Sequence, residues 1–478
     1  MPSPEIPSAP GIVHLGLGNF HRAHQAVYTR AALDAAGGDW GIVGVSNRSQ
    51  DIPAALQAQG MRYTVIEISP RGQSYSVPAV HTDAFTAATE PARVVSAIAA
   101  PRTRIVSLTV TERGYWYRPG TGELDSDAAP IRSDLRNPAA PVTAIGQLVR
   151  GLQERARTHG APVTVLSCDN LAANGHHTQR LVEEFVRLLP GPEATETLAW
   201  LEQAVTFPST MVDRIVPATT DHYRRLVAEE CGYADAVPVP AEPFSMWVLE
   251  DRFAAGRPAW EAGGAVFSDE VPKYEQLKVR FLNGTHSLIA YLGALSGARG
   301  IADAVAIRTV ESAAQALMRE YRPTVALPSG VDLDAYEEQL FARWRNSALG
   351  HMVSQVGSDG SVKIRQRIPA AALALLDAGT MPHALALAAA GYLACLAPLA
   401  GFDPGPHAAA MKDPARPMLE RAAAASAGGP ELAARVIGEQ QLLGVDLAER
   451  PAFVDRVGEL VDVIRRSGVT AAIHEIGA

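Results

Sequence analysis

The chain has 478 residues, of which 47% are hydrophobic and 19% charged, a globular composition whose size predicts two domains. Its formal net charge of −9 disfavours nucleic acid or an anionic membrane surface as a partner. The cysteines Cys168, Cys231 and Cys395 lack paired metal-ligand spacing, so we expect no structural zinc, no disulfides and a cytoplasmic location.

Two segments bear on export and membranes. Residues 1–10 are proline-rich and have no basic start followed by an apolar run, so no signal peptide is predicted. The most apolar stretch, residues 384–400, is rich in alanine and contains Pro398. It is too short and too weakly apolar to span a bilayer, so we expect a core helix there.

The first part of the chain alternates apolar strands with helices. Strands are predicted over residues 11–17, 41–46, 104–109 and 163–168, and a helix over 24–36. Each strand is apolar on both faces, as buried parallel strands are. This alternation predicts an α/β fold with a Rossmann-like doubly wound sheet in the N-terminal domain.

The character of the sequence changes near Lys273, after which alanine- and leucine-rich helical segments dominate. Helices are expected over residues 274–295, 302–318, 370–376, 384–396 and 431–443. We therefore predict a Rossmann-like domain over residues 1–268 and a mostly α-helical domain over 269–478. The glycine-rich stretch 261–268 is the expected junction.

A glycine turn follows the first predicted strand. Gly16 would permit a tight turn, and Gly18 would let the backbone approach a pyrophosphate. Asn19 and Phe20 follow at the start of the next helix, whose free N–H groups would face that anion. His21 replaces the third glycine of the dinucleotide pattern, so an ordinary strand-to-helix turn is the alternative.

The end of the second strand bears on the choice of dinucleotide. NAD enzymes usually place an acidic residue there for the ribose hydroxyls, but this strand ends in Asn47 and Arg48, and Asp51 lies further on. Arg48 could meet a 2′-phosphate, lie over the adenine, or be a solvated surface residue. These residues alone lean slightly toward NADP.

Polar side chains recur on one predicted helix of the second domain. At 100° per residue, Lys278, Asn283 and His286 fall within an arc of roughly 140°, and Arg280 points to the opposite side. Burying such groups on an apolar helix is costly, which favours a functional role over a solvent-facing stripe. Gly284 weakens a helix interior, so close packing or a close ligand is expected there.

Two further clusters belong to the first domain. Asp169, Asn170 and Asn174 follow a predicted buried strand at its carboxyl end, where open α/β sheets bind ligands, although turn chemistry explains them equally well. Asp213 and Arg214 stand inside an apolar run, where a structural ion pair is the common explanation.

Taken together, these segments resemble the long-chain polyol dehydrogenases, the family of mannitol 2-dehydrogenase and fructuronate reductase. The matching stretches occur in the family's order over roughly residues 11–300. They are GLGNFHRAH from Gly16, TVTERGYW from Thr109, SCDNLAANG from Ser167, MVDRIVP from Met211, EPFSMWVLED from Glu242 and KVRFLNGTHS from Lys278.

The resemblance implies a metal-free dehydrogenase in which Lys278 is the general base of alcohol oxidation and the acid of ketone reduction. Asn174 and Asn283 would hydrogen-bond the reacting oxygen, His286 would position the substrate, and Asp213 would lie near the lysine. Such a lysine needs a pKa well below about 10.4, which burial would favour. The resemblance favours NAD as the cofactor and leaves NADP open.

The resemblance implies a polyol and its ketose as substrate and product, of the mannitol/fructose or D-arabinitol/xylulose type. The alternative is a sugar-acid reductase acting on fructuronate or tagaturonate, which needs a cation for the carboxylate. Lys363, Arg365 and Arg367 are candidates, although a basic surface strand also explains them. A non-catalytic dinucleotide-binding protein is an alternative of another class. We expect a monomer or small homo-oligomer.

Overall fold

The computed structural model describes residues 4–118 and 120–478, so the first three residues of the segment considered for export lie outside the described part. The chain divides into two compact units, one ending at Pro272 and one spanning Lys273–Ala478. The stretch 261–268, expected to join the domains, lies within the first unit. It contains most of a short 3-10 turn, Trp260–Gly263, and a two-residue strand.

The strands of the described residues all belong to the first unit. They are β1 Pro10–Leu15, β2 Gly41–Ser46, β3 Val65–Ser69, β4 Gly72–Ser76, β5 His81–Thr86, β6 Ile105–Leu108, β7 Val163–Ser167, β8 Val205–Thr206, β9 Thr210–Asp213, β10 Val239–Ala241, β11 Met246–Leu249 and β12 Val266–Phe267.

Six of these strands form one parallel sheet in the order β5-β2-β1-β6-β7-β8. If only these six strands are numbered, the order is 3-2-1-4-5-6, that of a dinucleotide-binding doubly wound sheet. The order reverses between β1 and β6, and ligands bind at the carboxyl ends of the strands beside such a reversal. The predicted α/β class and Rossmann-like sheet are confirmed.

Two three-stranded sheets accompany the main sheet in this unit. One has the order β10-β3-β4, and the other has the order β12-β11-β9. The α-helices of the unit are α1 Asn19–Ala23, α2 Gln25–Ala36, α3 Asp51–Ala58, α4 Pro91–Ala99, α5 Ala129–Arg136, α6 Ala144–Thr158, α7 Asn174–Arg187, α8 Gly191–Ala204 and α9 Asp221–Cys231.

The helix predicted over residues 24–36 begins earlier than expected. Helix α1 starts at Asn19, directly after Gly18, and α2 ends at Ala36 as predicted. His24 separates the two helices with φ −121° and ψ −92°, outside the helical region. The first helical N–H groups therefore follow the glycine turn immediately.

The second unit is helical, as predicted. Its α-helices are α10 Val271–Leu277, which starts at the boundary, α11 Thr285–Leu295, α12 Ile301–Ala306, α13 Arg308–Tyr321, α14 Leu333–Trp344, α15 Val353–Gly357, α16 Gly360–Arg367, α17 Pro369–Asp377, α18 His383–Leu396, α19 Pro406–Ala409, α20 Arg416–Ala424, α21 Gly429–Ala433, α22 Val445–Ala448 and α23 Pro451–Glu475.

The apolar helix expected near residue 384 is α18, and its residues from Ala384 to Leu396 are all buried. It packs against α11 and α23 in the core of the second unit. Along the described chain, no helix combines the length and hydropathy that crossing a membrane requires.

Two expectations that bear on the candidate site are wrong in detail. The segment 274–295 is not one α-helix, because residues Lys278–Gly284 form a π-helical stretch between α10 and α11. The basic stretch considered as a surface strand is helix α16. Local sequence patterns do not distinguish an i→i+5 turn from an i→i+4 turn, which explains the first error.

Candidate functional site

The glycine turn at the end of β1 has a backbone conformation that requires glycine at residue 16. Gly16 has φ 108°, and a Cβ there would lie 2.0 Å from the Thr109 carbonyl oxygen, so only glycine fits. At Gly18 the nearest atom to an added Cβ is 3.7 Å away, which leaves that face of the backbone open. This open face lies directly before α1.

The side chains of Asn19 and Phe20 make contacts within the first unit. The Asn19 amide donates to the Pro217 carbonyl oxygen at 3.2 Å and to Thr219 Oγ1 at 3.0 Å. The Phe20 ring stacks on His24 with centroids 4.9 Å apart. The Asn19 side chain therefore connects the start of α1 to the segment 217–219.

Asn47 and Arg48 directly follow β2 and are both exposed. In a doubly wound sheet this position faces the adenosine ribose. The structure therefore places both residues at the end of the second strand, and their contact with a dinucleotide stays a prediction.

Buried histidines lie beneath the glycine turn, of which only His21, at the position of the third glycine, was noted from the sequence. His14, His21 and His81 are fully buried, and the rings of His14 and His21 stack with centroids 3.5 Å apart. Burial lowers the pKa of His14 and of His81 to about 3, and that of His21 also falls well below its usual value. All three imidazoles are therefore neutral at pH 7.

The turn after β7 contains the second predicted cluster. The Asp169 carboxylate accepts hydrogen bonds from the backbone N–H groups of Val110 and Thr111 at 2.9 and 3.0 Å and from the Tyr115 hydroxyl at 2.8 Å. Burial raises its pKa to about 6 despite these bonds. Asn170 beside it is exposed. Asp169 thus fixes the loop that follows β6.

Asn174, at the start of α7, is fully buried. Its side-chain N–H groups donate to the carbonyl oxygens of Asp169 and Thr210 at 3.1 and 3.0 Å, and its Oδ1 accepts from the Thr210 N–H at 2.9 Å. An amide has two hydrogens, so both are engaged within the first unit. The amide joins the β7 turn to β9.

Asp213 ends β9, and Arg214 follows it. Consecutive residues of an extended chain point to opposite sides, and Arg214 pairs with Glu67 at 2.6 Å. The guanidinium also donates to the backbone oxygens of Glu242 and Ala23. The ion pair in this run therefore joins Arg214 to Glu67, and Asp213 is buried.

In the second unit, the π-helical stretch carries Lys278 and Asn283. A π-turn closes hydrogen bonds between residues five apart, so these two residues lie one turn apart along the segment. Lys278 is buried, whereas Asn283 is partly exposed. The wider turn aligns the two side chains more closely than the α-helix that we predicted.

Gly284 is explained by packing. A Cβ at this position would lie 2.2 Å from the Tyr321 hydroxyl oxygen, and that hydroxyl donates to the Arg367 carbonyl oxygen at 3.0 Å. Tyr321 thereby connects the end of the π-helical stretch to α16.

His286, one residue into α11, is surrounded by positive charge. Its pKa lies well below the usual value, first because of burial and then because of His351, Arg367, Arg343 and Lys363. The rings of His286 and His351 lie 5.1 Å apart, edge to face. Among the described residues, nothing hydrogen-bonds its buried Nε2.

The three basic residues of α16 separate into two groups. Lys363 and Arg367 are four residues apart, on one face of the helix, and both influence His286. The Lys363 ammonium donates to the Ser358 carbonyl oxygen at 2.6 Å, and Arg367 donates to Ser287 Oγ. Arg365 is exposed and reaches the Gln441 carbonyl oxygen at 3.2 Å.

Arg343 and His351 also act on His286, and no feature of the sequence indicated them. They lie 57 and 65 residues further along the chain, so no local pattern connects them. Across residues 4–118 and 120–478, no group of three or more His, Cys, Asp or Glu residues is arranged to hold a metal ion. Cys168, Cys231 and Cys395 are free.

Comparisons with known proteins cover nearly the whole chain. Residues 10–262 match the family model of the Mannitol dehydrogenase Rossmann domain, and residues 270–465 match that of the Mannitol dehydrogenase C-terminal domain.

Individual proteins show the same relationship. The chain is 38% identical to the D-mannonate oxidoreductase of Escherichia coli over 93% of this chain and 91% of that one. It is 39% identical to the mannitol 2-dehydrogenase of Cereibacter sphaeroides over 80% of each chain. The mannitol 2-dehydrogenase of Pseudomonas fluorescens, solved as a ternary complex with NAD and D-mannitol, superposes with a TM-score of 0.87. It is 32% identical, over 100% of this chain and 97% of that one.

Proposed function

Because the chain belongs to the mannitol dehydrogenase family, we propose that it transfers a hydride between NAD and a secondary alcohol of a polyol or sugar acid, with Lys278 as the acid–base group. The observation that carries this proposal is the π-helical stretch, which places Lys278 and Asn283 one turn apart. Such π-turns occur frequently at functional sites.

The first unit fits the cofactor. Gly16 and Gly18 would hold the pyrophosphate against the start of α1, and the exposed residues Asn47 and Arg48 would meet the adenosine ribose. The nicotinamide, when bound, accepts or donates the hydride. Arg48 also keeps NADP as an alternative, because a guanidinium binds a 2′-phosphate well.

The Lys278 amine removes the hydroxyl proton during oxidation and returns it during reduction. Lys278 is buried, and the proposal requires its amine to be neutral during oxidation, because only the neutral form accepts a proton. The Asn283 amide donates to the reacting oxygen as negative charge develops there, so no metal ion is required for this step. His286 is neutral and nothing among the described residues hydrogen-bonds its Nε2, so this atom would accept a hydrogen bond from a substrate hydroxyl and orient the substrate.

Two residues expected in this set receive narrower roles. Asn174 commits both amide hydrogens to Asp169 and Thr210, so we assign stabilisation of the reacting oxygen to Asn283. Asp213 remains a proposed acidic neighbour for Lys278. It is buried at the end of β9, and the ion pair of the adjacent Arg214 is made with Glu67.

A sugar acid is a second candidate substrate, and the charges around His286 favour it. Lys363, Arg367 and Arg343 all act on that imidazole, and a carboxylate is the group that such cations bind most strongly. The related D-mannonate oxidoreductase bears a name of this substrate class.

A paired panel tests the proposal. Purified protein is assayed with mannitol, D-arabinitol and D-mannonate in the oxidative direction, and with fructose, fructuronate and tagaturonate in the reductive direction. Each substrate is tried with both NAD and NADP, before and after exhaustive chelation. We expect turnover with NAD and resistance to chelation, and a higher kcat/KM for the acids would select the sugar-acid candidate over a neutral polyol. Turnover restricted to neutral substrates would remove the sugar-acid candidate.

The same panel distinguishes an enzyme from a non-catalytic dinucleotide-binding protein. Binding of NADH without turnover of any substrate would favour the latter. Absence of dinucleotide binding would contradict the proposal as a whole.

A further inference from the structure

The dinucleotide pattern is modified at one position by a histidine. In the common pattern the third glycine allows close packing between the first helix and the first strand. Here His21 on α1 occupies that place, and its ring lies flat on His14 of β1, with 14° between the ring planes. A stacked pair of imidazoles therefore sets the distance between helix and strand.

The stacked pair belongs to a buried chain of polar contacts. His14 Nδ1 lies 2.8 Å from Ser107 Oγ, which lies 2.8 Å from Gln25 Oε1. The same Oε1 lies 3.1 Å from His21 Nδ1, and His21 Nε2 lies 3.0 Å from His81 Nε2. The chain joins β1, β6, α1, α2 and β5, the elements that surround the glycine turn.

One end of this chain reaches the turn itself. His14 Nε2 lies 2.8 Å from Thr109 Oγ1 and 3.2 Å from the Gly16 carbonyl oxygen, and Thr109 Oγ1 donates to that carbonyl at 2.9 Å. A neutral imidazole has a single N–H, and the nearby carbonyl lone pairs favour a proton on Nε2. His14 thereby orients the hydroxyl that holds Gly16.

A purely structural explanation does not account for the chemistry of this cluster. The strand faces of a doubly wound sheet are normally filled by aliphatic side chains, and burying five polar residues beneath one turn is costly. A connected polar network, in contrast, specifies one geometry. The Gly16 carbonyl, which the network holds, also accepts the Gly18 N–H at 2.6 Å. The network thus determines how the open face of Gly18 is presented.

We infer that the network of His14, Ser107, Gln25, His21 and His81 positions the glycine turn for the pyrophosphate of the dinucleotide. His14 is its positioning residue, because it holds Gly16 through Thr109 without being exposed itself. The inference rests on the proposed function, in that it assumes a dinucleotide on this turn. In the common pattern, the third glycine lets the first helix pack closely on the first strand. Here buried polar side chains fix the position of the helix and of the turn instead.

Amide substitutions at residue 14 separate positioning from stability. In His14→Gln the side-chain N–H₂ reaches the place of Nε2 and can donate to Thr109, whereas in His14→Asn it reaches only the place of Nδ1, beside Ser107. His14→Leu removes both contacts. We expect NADH affinity, measured by fluorescence titration, to fall about tenfold in the Leu and Asn variants and to stay near wild type in Gln. The kcat at saturating cofactor should change by less than about twofold.

Thr103→Val is the matched control for lost stability. Thr103 Oγ1 is buried and donates to the Ala97 carbonyl oxygen at 2.8 Å. Thr103 lies just before β6, at the amino ends of the strands and so away from the glycine turn. This isosteric change should lower the unfolding temperature but leave the Kd for NADH unchanged. Thr109→Val, which removes the hydroxyl between His14 and Gly16, should weaken NADH binding.

Three results would overturn the inference. They are equal NADH affinity in the Gln and Asn variants, an unchanged Kd in a folded Leu variant, and an equal loss of affinity in Thr103→Val. The Gln and Asn pair decides the question even where the Leu variant does not fold. Wild-type protein that binds no dinucleotide would instead contradict the proposed function and the inference with it.

Discussion

The two units of the chain place their functional groups by different means. In the first unit the proposed ligand-binding features are backbone features, a glycine turn and the carboxyl ends of parallel strands, set by sheet topology. In the second unit they are side chains on a helical segment with irregular winding, the π-helical stretch Lys278–Gly284. We therefore expect substitutions in the first unit to change cofactor affinity and those in the second to change chemistry or substrate choice.

Lys278→Ala is expected to have the largest effect. Removal of the acid–base group should lower kcat by about a thousandfold, while the Kd for NADH stays close to wild type. Steady-state rates and a fluorescence titration of NADH measure the two quantities. Lys412→Ala, at an exposed lysine, is the control. A kcat within a few-fold of wild type would show that Lys278 is not the acid–base group.

Arg367→Gln tests the charge around His286. If the substrate is a sugar acid, its KM should rise about 10- to 100-fold, because the proposed charge-assisted hydrogen bond to the carboxylate is lost. Neutral polyols should respond much less. Arg365→Gln changes the same residue type on the exposed side of α16 and should leave both KM values unchanged. Equal changes for acidic and neutral substrates would indicate a structural role for Arg367.

Gly16→Ala tests the turn through the backbone. With φ 108° and the Thr109 carbonyl oxygen 2.0 Å from the new Cβ, the substitution should destabilise the fold by about 1–3 kcal/mol and weaken NADH binding. At Gly18 there is space for a methyl group and φ is −111°, so Gly18→Ala should leave the unfolding temperature unchanged while the affinity for NADH falls. Chemical denaturation and NADH titration separate the two outcomes. A Gly18→Ala variant with wild-type affinity would move the pyrophosphate away from this turn.

The smallest effect concerns stability against pH. His81 has a folded-state pKa of about 3, below its ordinary 6.5, so the unfolded chain binds the proton first as pH falls. The stability that this neutral imidazole contributes is complete above pH 6.5 and is lost as pH falls toward 3. His81→Asn should therefore reduce the stability lost between pH 7 and 6 by about 0.7 kcal/mol. Urea unfolding at the two pH values measures it, and an unchanged difference would contradict the burial of a neutral His81.

Protonation of Asp169 changes the folding stability in the opposite direction over part of this pH range. Its pKa of about 6 lies above the ordinary 3.8, so its folded state binds the proton first as pH falls through 6. Comparison of His81→Asn with wild type cancels this contribution, because both proteins retain Asp169.

The sequence was a good guide where function depends on strand order and glycine. The Rossmann-like class was predicted from alternating strands and helices, and β2 was predicted over its observed residues 41–46. Family membership followed from motifs spread along the chain. Gly16 could be identified because its position after an apolar strand is itself a local pattern.

The rest depended on long-range contacts. The approach of Arg343 and His351 to His286 joins residues 57 and 65 positions apart, and the His14 network joins five separate elements. The engagement of Asn174 with Thr210 likewise depends on β9 lying beside the start of α7. The π-turn at Lys278 differs from an α-helix in the spacing of its hydrogen bonds and not in the kinds of residue it contains. The helical periodicity of the sequence therefore predicted an α-helix there.

The most direct test of the central claim, that the Lys278 amine moves the alcohol proton, is chemical rescue of Lys278→Ala. Hydride transfer is followed as NADH absorbance while ethylamine is added at fixed pH and fixed ionic strength. We predict a rate that rises with the concentration of neutral amine, with no change in the Kd for NADH. A variant that turns over at the wild-type rate, with or without the amine, would contradict the claim.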